Sequence, residues 1–180
     1  MTDEILDAAR DVFEEYGARR ANVDDVARKA GISRSTLYRR FPNKETLLAA
    51  VIDRETNAFL DELDRIAKDL PLQEAIVECF VHGMAIMREI PVLGRLAKTE
   101  PEMISGIAGR TPALLEHSDR IARTLRRAGA RMPDDELLVV AELLLRLAST
   151  FLFDPGGRLD VNDQDAVRDY AKRYLSQLVE

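Results

Sequence analysis

Glycine and proline divide this chain into lengths that helices fill. Gly17, Gly31, Pro42, Pro71, Pro91, Gly129 and Pro133 stand at the breaks, and between them apolar residues recur three and four apart. That is the period of an amphipathic helix, and no stretch alternates as a strand would. Ile5, Ala9, Val12 and Tyr16, with Leu6 and Phe13, line a first helix that Gly17 ends. Asn22 caps a second, with Asp24 and Asp25 in its first turn, where negative charge suits the helix dipole. Ser33 caps a third over residues 34–40, and Pro42-Asn43 separates it from a long fourth over about 44–68. Pro71 opens a fifth, Thr111-Pro112 another, and Pro133 the most apolar one, reaching Phe153. Gly94, Pro101, Gly106 and Gly109 fragment residues 91–110, and a last helix follows the DPGG loop from Asp163. The pattern predicts an all-α fold of about nine helices: an N-terminal three-helix unit containing a helix-turn-helix, then an antiparallel helical bundle.

Charge is distributed unevenly. The formal net is -6, yet residues 19–44 hold eight basic and two acidic side chains. A basic patch on an acidic body is a local electrostatic footprint. With one cysteine, Cys79, no internal disulfide forms. The acidic start, MTDEILDAARD, has no signal-peptide character, and Glu142 and Arg146 interrupt the apolar run 137–153. A cytoplasmic protein with no membrane partner is expected.

The chemistry concentrates in SRSTLYRRFPNK, residues 33–44. On a helical wheel Leu37 and Phe41 fall together and face inward. Ser35, Thr36 and Arg39 fall opposite, with Arg34 and Tyr38 on one flank and Arg40 on the other. The preceding A-G-I-S supplies a sharp turn from the second helix. This is a helix-turn-helix whose second helix is able to enter a major groove. Short hydroxyls and an arginine suit base edges, which assigns Ser35, Thr36 and Arg39 to base reading. Arg34, Tyr38, Arg40 and Lys44 suit phosphates, and Asn22 adds a further phosphate contact. A short basic helix is otherwise a solvated face, but turn, cap, apolar pair and charge excess agree here.

The segment ANVDDVARKAGISRSTLYRRFPNKETLL resembles the DNA-binding region of the TetR family of transcriptional regulators. Its most distinctive part, TLYRRFPNKETLL, follows that family's T-L-Y-x-x-F-x-x-K-x-x-L-[LIV]; DDVARKAGIS and the upstream AARDVFEEYGA also fit. Ala21-Asn22 stands where the family often carries two threonines. The resemblance implies a homodimeric, ligand-responsive repressor on a palindromic operator, released by a small-molecule effector whose identity is unknown. It implies a DNA-binding domain over residues 1–45 and a ligand-binding and dimerisation domain over 46–180. In such proteins the last two long helices of each subunit form the dimer's four-helix bundle.

Helix 134–153 is apolar nearly all round, so it needs cover on several sides. Burying five leucine-sized side chains in an interface contributes about 7–15 kcal/mol before association costs. The expected interface residues are Leu144, Leu147, Phe151, Val167, Tyr170, Tyr174 and Leu178. The expected ligand residues are Phe80, Met84, Met87, Arg88, Met103, Ile107, His117 and Phe151. Glu78, Cys79 and His82 share a helix, but too few further ligands accompany them for a zinc site. No glycine-rich phosphate loop and no G-x-S-x-G motif is present, so neither an enzyme nor a cofactor is expected. The competing reading is an all-helical enzyme or adaptor with a non-functional basic helix-turn-helix.

Overall fold

The computed structural model describes residues 2–90, Val92, Thr99 and 111–180. Among the described residues eight complete α-helices run in the order α1 (Thr2–Arg20), α2 (Val23–Lys29), α3 (Arg34–Arg40), α4 (Lys44–Ala67), α5 (Leu72–Glu89), α6 (Thr111–Arg127), α7 (Asp134–Phe153) and α8 (Gln164–Tyr170). A π-helical turn, Ala171–Leu175, continues α8. Among the described residues there is no strand.

The chain forms two compact units. One is Met1–Thr56 with Ile90–Ile107, and the other is Asn57–Glu89 with Ala108–Glu180. The division falls inside α4, past the expected boundary at residue 45, because α4 runs unbroken from Lys44 to Ala67.

In the first unit, α1 buries Ile5, Leu6, Ala9, Val12 and Phe13, α2 buries Val23 and Val26, and α3 buries Leu37. Leu47, Leu48, Val51 and Ile52 of α4 are buried in the same unit. Gly17 breaks α1 at φ 76°, a left-handed conformation that suits glycine, and one further turn carries the chain to Arg20. The stop expected at Gly17 is therefore a kink.

The second unit gathers Ile76, Val77, Phe80, Val81 and Met84 of α5 with Leu125 of α6, Leu137 and Ala141 of α7, and Val167 of α8. The carbonyl of Pro133 accepts from Leu137 N–H at 2.9 Å, and Asp134, Asp135 and Glu136 fill the first turn of α7. Asp163 caps α8, its side chain accepting from the amides of Asp165 and Ala166 at 3.0 and 3.1 Å. At the chain end, the carbonyl of Glu180 accepts from the amides of Arg131 and Met132, which fastens the α6–α7 connection.

Candidate functional site

The turn between α2 and α3 is built from backbone and caps. Asn22 accepts from Asp24 N–H at 3.0 Å and starts α2. Gly31 at φ 66° reverses the chain, and Ile32 N–H returns to Ala27 O at 3.0 Å. Nothing lies within 4 Å of where a Cβ on Gly31 would stand, so conformation rather than space calls for glycine. Ser33 then caps α3: its Oγ accepts from Thr36 N–H at 3.2 Å and lies 2.9 Å from Thr36 Oγ1 and 3.0 Å from Ser35 Oγ.

Leu37 is fully buried and Phe41 half-buried, which fixes the rotation of α3. Ser35, Tyr38 and Arg39 are exposed and Thr36 partly so. A three-hydroxyl cluster at the N-terminus of the helix thus stands beside Tyr38 and Arg39. Among the described residues Arg39 makes no hydrogen bond or ion pair, so its guanidinium is available to an outside acceptor.

The surrounding cations are more engaged than the local charge excess suggests. Arg28 pairs with Asp25 at 2.6 Å, Lys29 with Asp11 at 2.8 Å and Arg34 with Asp24 at 3.0 Å. The Lys29 ammonium, hydrogen-bonded to Asp11, holds that carboxyl below its usual range. Arg40 donates to Thr2 Oγ1. The Lys44 ammonium donates to the carbonyls of Arg19 and Ala21 at 2.8 and 3.3 Å, closing the end of α1. Lys44 thus has a structural duty that its motif position did not reveal, and a phosphate would share it with those carbonyls. Arg34 is 71% exposed, so its pair with Asp24 is a weak one that a phosphate can replace.

In the second unit an apolar cavity of about 100 Å³ lies between α4, α5, α6 and α7. Phe80 and Met84, two of the expected ligand residues, line it. The other expected ligand residues are placed differently. Met87 is buried outside the wall, and Phe151 packs edge-on against Phe80 and Tyr170 with centroids 6.2 Å apart. His117 lines a separate polar groove with Arg120, Arg123, Arg126 and Arg127. Met103, Ile107 and the side chain of Arg88 lie outside the described residues.

The sequence reading missed Phe59, Leu63, Ile121, Leu145 and above all Arg120. The signal was present on α6, where Ile121 and Leu125 form an apolar stripe flanked by Arg120 and Thr124.

Cys79 also stands in the cavity wall, its thiol donating to Leu63 O at 3.5 Å. Burial, with the Asp64 and Glu78 charges adding to it, pushes the thiol pKa up to about 12. Glu78 accepts from Arg168 and lies 3.6 Å from His82. Among the described residues no three His, Cys, Asp or Glu side chains gather as a metal site.

The outward face of α7 is apolar: Leu138, Val139 and Leu143 are 40, 59 and 53% exposed. Tyr174 and Leu178 are likewise exposed beyond α8. Leu144 and Leu147 instead pack partly buried against their own core, as do Phe151 and Tyr170. Val167 is 1% exposed and offers no surface to a partner, which corrects its expected place in an interface. The buried stripe here runs Val167, Ala171, Leu175 and Val179. No helix among the described residues is long and apolar enough to cross a membrane.

Comparison with known proteins places this geometry. Residues 5–51 match the family described as bacterial regulatory proteins, tetR family. An uncharacterised HTH-type transcriptional regulator of Mycobacterium tuberculosis is 28% identical over 158 residues, covering 86% of this chain and 75% of its own length. The fold is similar to that of the TetR-family repressor AlkX from Dietzia sp., with a TM-score of 0.76 at 21% identity over 98% of this chain and 95% of that one. It is also similar to the transcriptional regulator FadR from Bacillus subtilis, solved in complex with stearoyl-CoA, with a TM-score of 0.60 at 16% identity over 95% and 97% of the two chains. The family match seated on the α2–α3 turn, and a likeness to an HTH-type regulator over 158 residues, carry one conclusion: this is a transcriptional regulator whose DNA-binding region is that of the TetR family.

Proposed function

We propose that the protein is a cytoplasmic, homodimeric repressor that binds a palindromic operator and releases it when a small molecule enters the bundle. One observation carries the DNA half of this reading. On α3 the buried Leu37 sets the rotation that leaves Ser35, Tyr38 and Arg39 exposed, with Thr36 beside them. Ser35, Thr36 and Arg39 read base edges. Asn22, Arg34, Tyr38, Arg40 and Lys44 meet phosphates, Lys44 after loosening its hold on a carbonyl. DNA binding rests with residues 1–45, and residues 46–180 hold the ligand and the partner subunit.

The dimer half rests on the exposed apolar face of α7, joined by Tyr174 and Leu178. A two-fold pair of such faces matches two half-sites of a palindrome. The ligand half is supported by the cavity in the second unit and by the similar fold solved with stearoyl-CoA. No observation favours an enzyme or adaptor reading.

The test is a gel shift with the DNA upstream of the protein's own gene, titrated with salt. A palindrome should be preferred over random duplex. The slope of log affinity against log salt should fall by about 0.9 for each phosphate contact removed. Equal binding to all sequences overturns the reading.

A further inference from the structure

Arg120 belongs to two sites at once. It is the only charged residue in the wall of the apolar cavity among the described residues, and it also lines the polar groove of α6. The side chain is 19% exposed, and its guanidinium is shared among several acceptors. Nη2 donates to Asp61 and, at 3.1 Å, to Asp64; Nη1 donates to the carbonyl of Asn57 at 3.3 Å. These partners are not equally held. Asp64 is 24% exposed and keeps two further donors, Thr124 Oγ1 and Arg127 Nη2, the latter at 2.7 Å. Asp61 is 71% exposed and pairs with Arg120. An exposed carboxylate that leaves such a pair is rehydrated at little cost. A buried one that lost every donor would be penalised heavily.

The arrangement therefore has a replaceable anion. An incoming carboxylate would take the place of Asp61 on Nη2, a charge-assisted hydrogen bond, while Nε and Nη2 keep Asp64 and Nη1 keeps the Asn57 carbonyl. Asp64 would stay held by Thr124 and Arg127. The size of the apolar part is bounded as well. A cavity of about 100 Å³ is smaller than the ~150 Å³ that accepts benzene, so it suits a compact group and not a long chain.

We propose that the effector is a compact organic monocarboxylate, its apolar body in the cavity and its carboxylate on Arg120 in place of Asp61. This rests on the ligand-responsive reading above and narrows it to a chemical class.

The experiment is calorimetric titration of this chain, without DNA, using isobutyrate and isovalerate, their uncharged amides, and stearate. The short acids should bind at least tenfold more tightly than the amides, and stearate should bind no better than isovalerate. Arg120→Met should erase the acid preference. Asp61→Asn, on an exposed side chain, should tighten acid binding severalfold and leave the amides unchanged. That second variant decides the matter should Arg120→Met fail to fold. Equal affinity for acids and amides, no binding by any short acid, tighter binding of stearate, or an unchanged Asp61→Asn affinity overturns the proposal. Operator release by the same acids is then measured separately. Acid binding without release would leave the carboxylate site on Arg120 standing and sink its reading as an effector site, and with it the ligand-responsive repressor.

Discussion

In the first unit Ser33 and Asn22 each cap a short helix, Lys44 closes the end of α1, and Lys29 and Arg34 find carboxylates within the same unit. In the second unit Asp64 draws donors from Arg120, Thr124 and Arg127 of one helix, and beside them the bundle leaves a cavity and an apolar outer face. The first unit pairs most of its cations within itself and leaves Ser35, Tyr38 and Arg39 exposed on α3. The second keeps an apolar cavity inside and exposed apolar side chains outside. The contrast follows from what each side meets. A DNA groove has fixed dimensions and asks for a rigid, pre-capped helix. On the proposed function, a ligand and a partner subunit ask instead for space and apolar surface.

The sharpest way to break this contrast is Leu143→Arg. If the outer face of α7 is covered by a second copy, the substitution counts twice across a two-fold interface and weakens association by about 3–6 kcal/mol. Sedimentation should show monomers, while the folding stability of the monomer should change by no more than about 0.5 kcal/mol. Dimers that persist would mean the face serves another purpose.

Next is Leu37→Ala, which removes the buried pivot of α3. The expected loss is about 2–5 kcal/mol in chemical denaturation, with operator binding failing at the same time. A cost below 1 kcal/mol, on the order expected of a surface site, would contradict the rigid-helix account. Arg39→Ala follows, with about 1–3 kcal/mol of discrimination lost at one base pair of a binding-site library. Arg34→Ala should instead weaken all sequences alike. Identical profiles for the two would erase the division between base and phosphate contacts.

The smallest expected effect is a stabilisation. Burial raises the carboxyl pKa of Glu14, with nearby Asp11 and Glu55 adding to it and Arg10 opposing. Ionising Glu14 therefore costs more in the folded state than in the unfolded one. The penalty is present above the folded pKa and vanishes as pH falls below the unfolded value of 4.5. Glu14→Gln should raise the melting temperature at pH 7 and leave it unchanged near pH 3. A lower melting temperature at pH 7 would show that the Arg10 pairing outweighs burial.

Much of the first unit was legible because its signals are local. Asn22, Ser33 and Gly31 act within three residues of where they stand, and the burial of Leu37 follows from the wheel. The engagement of Lys29 with Asp11 and of Lys44 with Arg19 was hidden, since those partners lie far apart in sequence. In the second unit the misplacement of Val167 has a geometric cause. Val167, Ala171, Leu175 and Val179 are buried at four-residue spacing. At 3.6 residues per turn that spacing drifts about 40° at each step. The wider π-helical turn at Ala171–Leu175 keeps the stripe in line and turns Tyr174 and Leu178 outward. A wheel drawn for an ideal helix merges the two faces. Arg120 was passed over for a related reason: an arginine on an amphipathic helix reads as solvated until α4 supplies its carboxylates.

The lone thiol has a practical corollary. With its pKa raised to about 12, Cys79 is thiolate in roughly one molecule in ten thousand at pH 8. A cysteine engineered on the exterior would therefore outreact it by orders of magnitude, so a spectroscopic tag attaches at one chosen point with the native residue left in place. Because Cys79 sits in the cavity wall, its residual alkylation rate doubles as a built-in gauge of how often that interior opens to water.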